Sequence, residues 1–234
     1  MSSVCMAEMK PGLPWLSAKA VLFDLDGTLV DSAPDLAGAL NEMRVARQLS
    51  PLPLEMLRPM VGAGARGMLG VGLTVAPQDE GYEALRVEFL DRYQARLTQE
   101  TVLFDRVADL LDGLSSAGLA WGVVTNKAER FALPLTEALG LKQRALAVVG
   151  GDSTPHAKPH PAPLLEAARR GGIAAESCIY VGDDERDIVA GRAAGMRTVA
   201  AAWGYLGQGE PVEAWNADIV LNSPIELLQV LGLA

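Results

Sequence analysis

The spacing of apolar residues changes period twice along the chain. Ala20-Val21-Leu22-Phe23 is an unbroken apolar run that stops at Asp24-Leu25-Asp26-Gly27-Thr28. Such a run reads as a short strand buried on both faces. Asp31-Ser32 ahead of Pro34 is a helix-start signature, and Ala33 to Gln48 carries no strand periodicity. Ser50-Pro51-Leu52-Pro53 breaks that helix, and Val61-Gly62-Ala63-Gly64-Ala65-Arg66-Gly67-Met68 reads as a glycine-dense loop leading into a short helix. The clearest helix is Gln78 to Leu97, where Tyr82, Leu85, Phe89 and Tyr93 recur at three and four residues. Those aromatics read as core packing.

From residue 105 helices and strands alternate. Val107, Leu110, Leu111 and Leu114 mark a helix that ends at Gly118, and Leu119 to Val124 is a strand ending at Thr125-Asn126. A helix runs on to about Gly140, and Ala145 to Val149 is a third strand. Helix Pro161 to Arg170 precedes a fourth strand, Cys178 to Val181, which stops at Gly182-Asp183-Asp184. A helix through Ile188 and Ala193 and two short strands, Thr198 to Ala201 and Asp218 to Leu221, complete the pattern. Such alternation predicts an α/β fold, a doubly wound parallel sheet. The division that follows is an irregular tail over 1–17, a core over 18–32 and 100–234, and an inserted all-helical cap over 33–99.

Composition narrows the function. With a net charge of −9 and no basic run, a nucleic-acid partner is not expected. No apolar run approaches the roughly 20 residues of a membrane span. Cys5 and Cys178 give no disulfide framework, so a reducing cytoplasm is the expected location. His156 and His160 read as loop residues, because no Cys or His cluster completes a zinc site.

In an open parallel sheet, ligands bind at the carboxyl ends of the strands. Asp24 and Asp26, then Thr125 and Asn126, then Asp183, Asp184 and Asp187 gather at that edge. Alternation along a strand puts Asp24 and Asp26 on one side. Two poorly solvated carboxylates repel unless a cation or proton lies between them, and a Mg²⁺ site beside a phosphate suits this oxygen-rich edge.

Asp24-Leu25-Asp26-Gly27-Thr28, Val124-Thr125-Asn126, Lys158 in Ala157-Lys158-Pro159, and Gly182-Asp183-Asp184-Glu185-Arg186-Asp187 resemble, in order, the four motifs of the haloacid dehalogenase-like phosphatases. The resemblance implies a Rossmann-like core. It also implies Asp24 as nucleophile, Asp26 as general acid and base, and Thr125 and Lys158 as phosphoryl ligands. Mg²⁺ would be held by Asp24, the carbonyl of Asp26 and Asp183, with Asp187 behind them holding metal-bound water or orienting Lys158. Asp184 is given no role. The helical insertion resembles the cap of the phosphoglycolate phosphatase branch, with Gly62 to Met68 as its substrate loop.

Thr28, Asn126, Gly64 and Arg66 are expected to contact substrate, Arg66 by pairing with a carboxylate. The expected partner is a small phosphorylated metabolite, first 2-phosphoglycolate. Glu80 to Arg86 and Trp121 to Lys127 also resemble N-acetylmuramic acid 6-phosphate phosphatases. A phosphomutase of the same branch is the further alternative. A dehalogenase would lack Asp26, and a non-enzymatic phospho-acceptor would lack the helical insertion. The chain is expected to act as a monomer or homodimer.

Overall fold

A computed structural model describes residues 15–233. The expected tail lies mostly outside these residues, as does Cys5. Within reach of description, Trp15–Ser17 forms a 3-10 turn whose Trp15 is buried, with the Arg197 guanidinium 5.2 Å from its ring centre. Thus Trp15, assigned to the tail, is packed on the core.

Six parallel strands form one sheet in the order β5-β4-β1-β6-β7-β8. They are β1 (Ala20–Phe23), β4 (Ala120–Val124), β5 (Val148–Val149), β6 (Cys178–Gly182), β7 (Arg197–Ala201) and β8 (Ile219–Leu221). β1 lies at the centre in register with both neighbours, Phe23 beside Val123 and Val181. All four of its residues are fully buried, as an unbroken apolar run requires. The chain runs outward from β1 through β4 to β5, then crosses back to β6 on the other side. That reversal at β1 opens a crevice at the carboxyl edge, and Asp24 follows β1 directly into it.

Helices α5 (Val107–Ser116), α6 (Glu129–Ala138), α7 (Ala162–Gly171), α8 (Glu185–Ala193) and α9 (Glu226–Val230) complete the core. Between β1 and α5 the chain makes α1 (Ala33–Ala46), α2 (Leu54–Leu57), α3 (Gly64–Leu73) and α4 (Tyr82–Arg96). No helix among the described residues is long and apolar enough to cross a membrane.

Three local expectations change. The segment read as a glycine-dense loop is mostly helical: Arg58–Ala63 is a 3-10 turn and α3 begins at Gly64. Of its glycines, Gly67 serves close packing, since a methyl group there would collide with Ala63 and the Met60 carbonyl of the preceding turn. The long helix starts at Tyr82 rather than Gln78, because Gly81 has φ +80° and Asp79 holds the Ala76 amide in a preceding turn. Only Val148–Val149 of the third strand has ladder geometry, although the Leu146 amide still donates to Trp121 of β4 at 2.8 Å.

A feature with no sequence periodicity joins insertion to core. β2 (Val30–Asp31) and β3 (Val102–Leu103) pair antiparallel where the chain enters and leaves the helical segment. Asp35, fully buried, accepts from the Glu100 and Thr101 amides, the Thr101 hydroxyl and the Arg96 guanidinium. The Tyr205 hydroxyl accepts from the Ser32 and Ala33 amides and donates to Asp31 at 3.0 Å.

Candidate active site

The chain stays in the sheet one residue beyond β1, the Asp24 amide donating to Val181 at 2.9 Å. It then closes a tight turn in which the Leu29 and Val30 amides both donate to the Leu25 carbonyl. Gly27, at φ +88°, is required there twice over. Its backbone disfavours any side chain, and a methyl group would collide with the Asp183 carboxylate. Gly204 closes on Asp183 from another side just as tightly.

Asp183 follows β6 and is 4% exposed. It accepts from the Thr28 hydroxyl at 2.8 Å and the Tyr205 amide at 2.9 Å. Burial pushes its carboxyl well up, and repulsion from Asp24 and Asp187 pushes it further. Asp187 is also raised, first by burial, with Lys158 opposing and Asp24 adding. Carboxylates so close together call for a cation among them. One oxygen from each of Asp24, Asp183 and Asp187 lies within 4.8 Å of the others, and hard carboxylate oxygens are what Mg²⁺ takes. The donor set fits the ion.

Lys158 is the cation already in place. Its ammonium lies 2.9 Å from Asp24 and 2.7 Å from Asp187, and donates to the Tyr180 hydroxyl at 2.9 Å and the Val124 carbonyl at 3.2 Å. Burial pulls this ammonium down, but the two carboxylates outweigh it and its pKa ends raised. Asn126 secures the loop: its amide group donates to the Lys158 carbonyl and its oxygen accepts the Lys158 amide, both at 2.9 Å. Asp187 also accepts the Asp184 amide, while Asp184 accepts the Arg186 amide, a reciprocal cap at the start of α8. Thus Asp184 has a position after all. It caps α8 and holds Arg186, whose guanidinium donates to the Gly62 carbonyl of the insertion at 2.5 Å.

A cavity of about 400 Å³ lies over these groups, between the sheet edge and the helical segment. Asp24, Asp26, Thr125, Asn126, Lys158, Asp183, Asp187 and Gly64 all line it. Two expected substrate contacts do not. Thr28 is fully buried and commits its hydroxyl to Asp183. Arg66 is exposed on α3 and lines a separate hollow beside Asp184 and Arg186, because the helical turn that replaces the expected loop points it there.

Sequence reasoning passed over Lys127, Arg130 and Tyr93, all in the cavity wall. Lys127 donates to both oxygens of Asp26, at 2.8 and 3.0 Å, and Ser32 donates to the same carboxylate at 2.5 Å. Its ammonium also stands 4.7 Å from the centre of the Tyr93 ring. The signal for Lys127 was present, since it follows Thr125-Asn126 at a strand end. Tyr93 was hidden in an apolar stripe that packs and lines at once.

Comparison with known proteins follows the same line. The family model described as haloacid dehalogenase-like hydrolase matches residues 21–201. A phosphoglycolate phosphatase of Xanthomonas campestris pv. campestris (strain 8004) is 50% identical over 210 residues, 89% of this chain and 94% of that protein. An N-acetylmuramic acid 6-phosphate phosphatase of Pseudomonas aeruginosa is 41% identical, over 92% of this chain and 96% of that one. The crystal structure of a predicted phosphoglycolate phosphatase from Haemophilus somnus 129PT superposes with a TM-score of 0.81 at 27% identity, covering 92% of this chain and 98% of its own.

Proposed function

The chain belongs to the haloacid dehalogenase-like hydrolases, and from that premise we propose that it is a Mg²⁺-dependent phosphatase of small phosphorylated carboxylates, 2-phosphoglycolate first among them. One observation carries this reading: Asp24 lies against the buried Lys158 at the floor of the cavity, with Asp183 and Asp187 beside it.

In this reading Asp24 attacks phosphorus in line. Its oxygen forms a bond to the phosphoryl group while the ester oxygen leaves, giving an aspartyl-phosphate. Asp26 supplies the proton to that oxygen, then takes one from the water that hydrolyses the intermediate. Lys127 and Ser32 both donate to the Asp26 carboxyl group and hold it at the cavity wall. Thr125 and Lys158 receive the phosphoryl oxygens, and Asp187 keeps the Lys158 ammonium aimed at them. Asp24, Asp183 and the Asp26 carbonyl would hold Mg²⁺. When bound, that ion offsets the repulsion between the attacking carboxylate and an anionic substrate.

We read residues 33–99 as a cap that excludes water from this cavity. Leu36, Val61, Phe89 and Leu90 give it an apolar ceiling. A cytoplasmic location completes the reading, and the free, buried Cys178 accords with it.

Cavity size favours a second substrate. About 400 Å³ falls in the range of sites for drug-sized ligands, roughly 300–1,000 Å³. A two-carbon acid leaves most of that room unfilled, whereas N-acetylmuramic acid 6-phosphate, the ester named for the Pseudomonas aeruginosa relative, would occupy it. Phosphate release should be measured across both esters and neutral sugar phosphates. The expected result is fastest turnover of a carboxylate-bearing ester and loss of release in EDTA. Preference for neutral esters would overturn the substrate class, and undiminished release in EDTA the metal.

A further inference from the structure

Five cations line the cavity: Arg86, Lys127, Arg130, Lys158 and Arg186. Four are already held by carboxylates, Arg86 by Glu83, Lys127 by Asp26, Lys158 by Asp24 and Asp187, and Arg186 by Asp184. Arg130 differs from them. Among the described residues no carboxylate pairs with its guanidinium, which instead lies 4.4 Å from the centre of the Phe131 ring. A planar guanidinium backed by an aromatic ring keeps its donor edge free for a bidentate carboxylate.

The same ring has a second neighbour. Tyr93, reaching in from α4, packs against Phe131 with ring centres 5.5 Å apart and the rings tilted by 52°. Its hydroxyl is buried and has no hydrogen-bond partner among the described residues. A buried hydroxyl left unpaired is unfavourable, and an oxygen of a ligand would satisfy it. Burial pushes this hydroxyl up to about 12, with Lys127 opposing, so it stays a donor at neutral pH.

Charge bookkeeping points the same way. At the cavity floor a phosphoryl group meets Lys158 and a divalent ion, but a second anionic group on the substrate needs a cation not already neutralised. We propose that Arg130 and the Tyr93 hydroxyl, both in the cavity wall beside Phe131, form the subsite that takes the substrate's carboxylate. This subsite rests on the phosphatase reading above. It assigns recognition of the acid to the start of α6 and to α4, in place of Arg66.

The test compares 2-phosphoglycolate and N-acetylmuramic acid 6-phosphate with p-nitrophenyl phosphate, which carries no carboxylate. Arg130→Ala should raise KM for the acid that the wild type prefers by roughly ten- to a hundredfold, the loss expected for a hydrogen bond to a charged group. The rise for p-nitrophenyl phosphate should be at least tenfold smaller. Arg130→Lys should recover part of the loss, and Tyr93→Phe should weaken the acid more than the neutral ester. Equal effects of Arg130→Ala on both would overturn the subsite while leaving the phosphatase reading intact. So would a wild-type enzyme that hydrolyses p-nitrophenyl phosphate but shows no preference for the acids. Release of phosphate from none of the three esters would overturn both.

Discussion

Lys158 holds Asp24 and Asp187 at 2.9 and 2.7 Å, with the lysine and Asp187 buried, and each of the three depends on the others for charge balance. Replacing Asp24 by Asn keeps the shape and removes the nucleophile. Phosphate release should fall by at least a thousandfold, within the range seen when a nucleophile is deleted. An unchanged melting temperature would separate that loss from misfolding.

Asp183 and Asp187 give a pH signature without substrate. Both carboxyls are raised, mainly by burial, so the folded protein binds protons that the unfolded chain has already released. Stability therefore falls as pH rises from the ordinary carboxylate value near 4 through the value of about 7 at Asp187, and on toward that of Asp183. In EDTA the melting temperature should drop between pH 5 and pH 8, and Mg²⁺ should restore more of it at pH 8 than at pH 5. A rise on going to pH 8 in EDTA would contradict the cluster as described. At this scale the aspartates were legible because charged residues stood where apolar strands stopped, whereas Lys158, nine residues beyond Val149, was legible only through its resemblance to a family motif. Arg66 was misplaced, because a glycine-rich stretch looks like a loop whether it is one or is a helix packed closely on its neighbour.

The helical insertion is fastened by the β2–β3 pair, by Asp35 and by Tyr205, and none of these has a sequence period. Two-residue strands are too short to alternate, and Asp35 looks like an ordinary first-turn acid of α1. Its burial with four donors comes only from the return of the chain at Thr101. Asp35→Ala leaves the Arg96 guanidinium and two backbone amides without that acceptor. Unfolding in urea should show a loss of about 3–5 kcal/mol, the cost of breaking a buried pair. Asp184→Ala, which removes the α8 cap, should cost about 1 kcal/mol. The long elements, by contrast, were legible to within a few residues. Buried strands need unbroken apolar runs, and α4 needs its stripe of Tyr82, Leu85, Phe89 and Tyr93.

For the whole molecule, alternation of strand and helix was enough to give the parallel sheet, and the carboxyl-edge rule was enough to gather the aspartates. The cavity was not readable, since its ceiling comes from α1 and α4 while its floor comes from strand ends more than 100 residues apart, such as Asp24 and Asp183. In the proposed reading, Arg130, unpaired by any carboxylate among the described residues, makes this phosphatase site one that favours acids. The proposed mechanism turns on a covalent bond at Asp24. Acid quenching during turnover of a substrate labelled in its phosphoryl group, followed by peptide mapping, reads that bond directly. The mechanism predicts label on Asp24, absent from Asp24→Asn. Steady turnover with label on another residue, or on none, would contradict it.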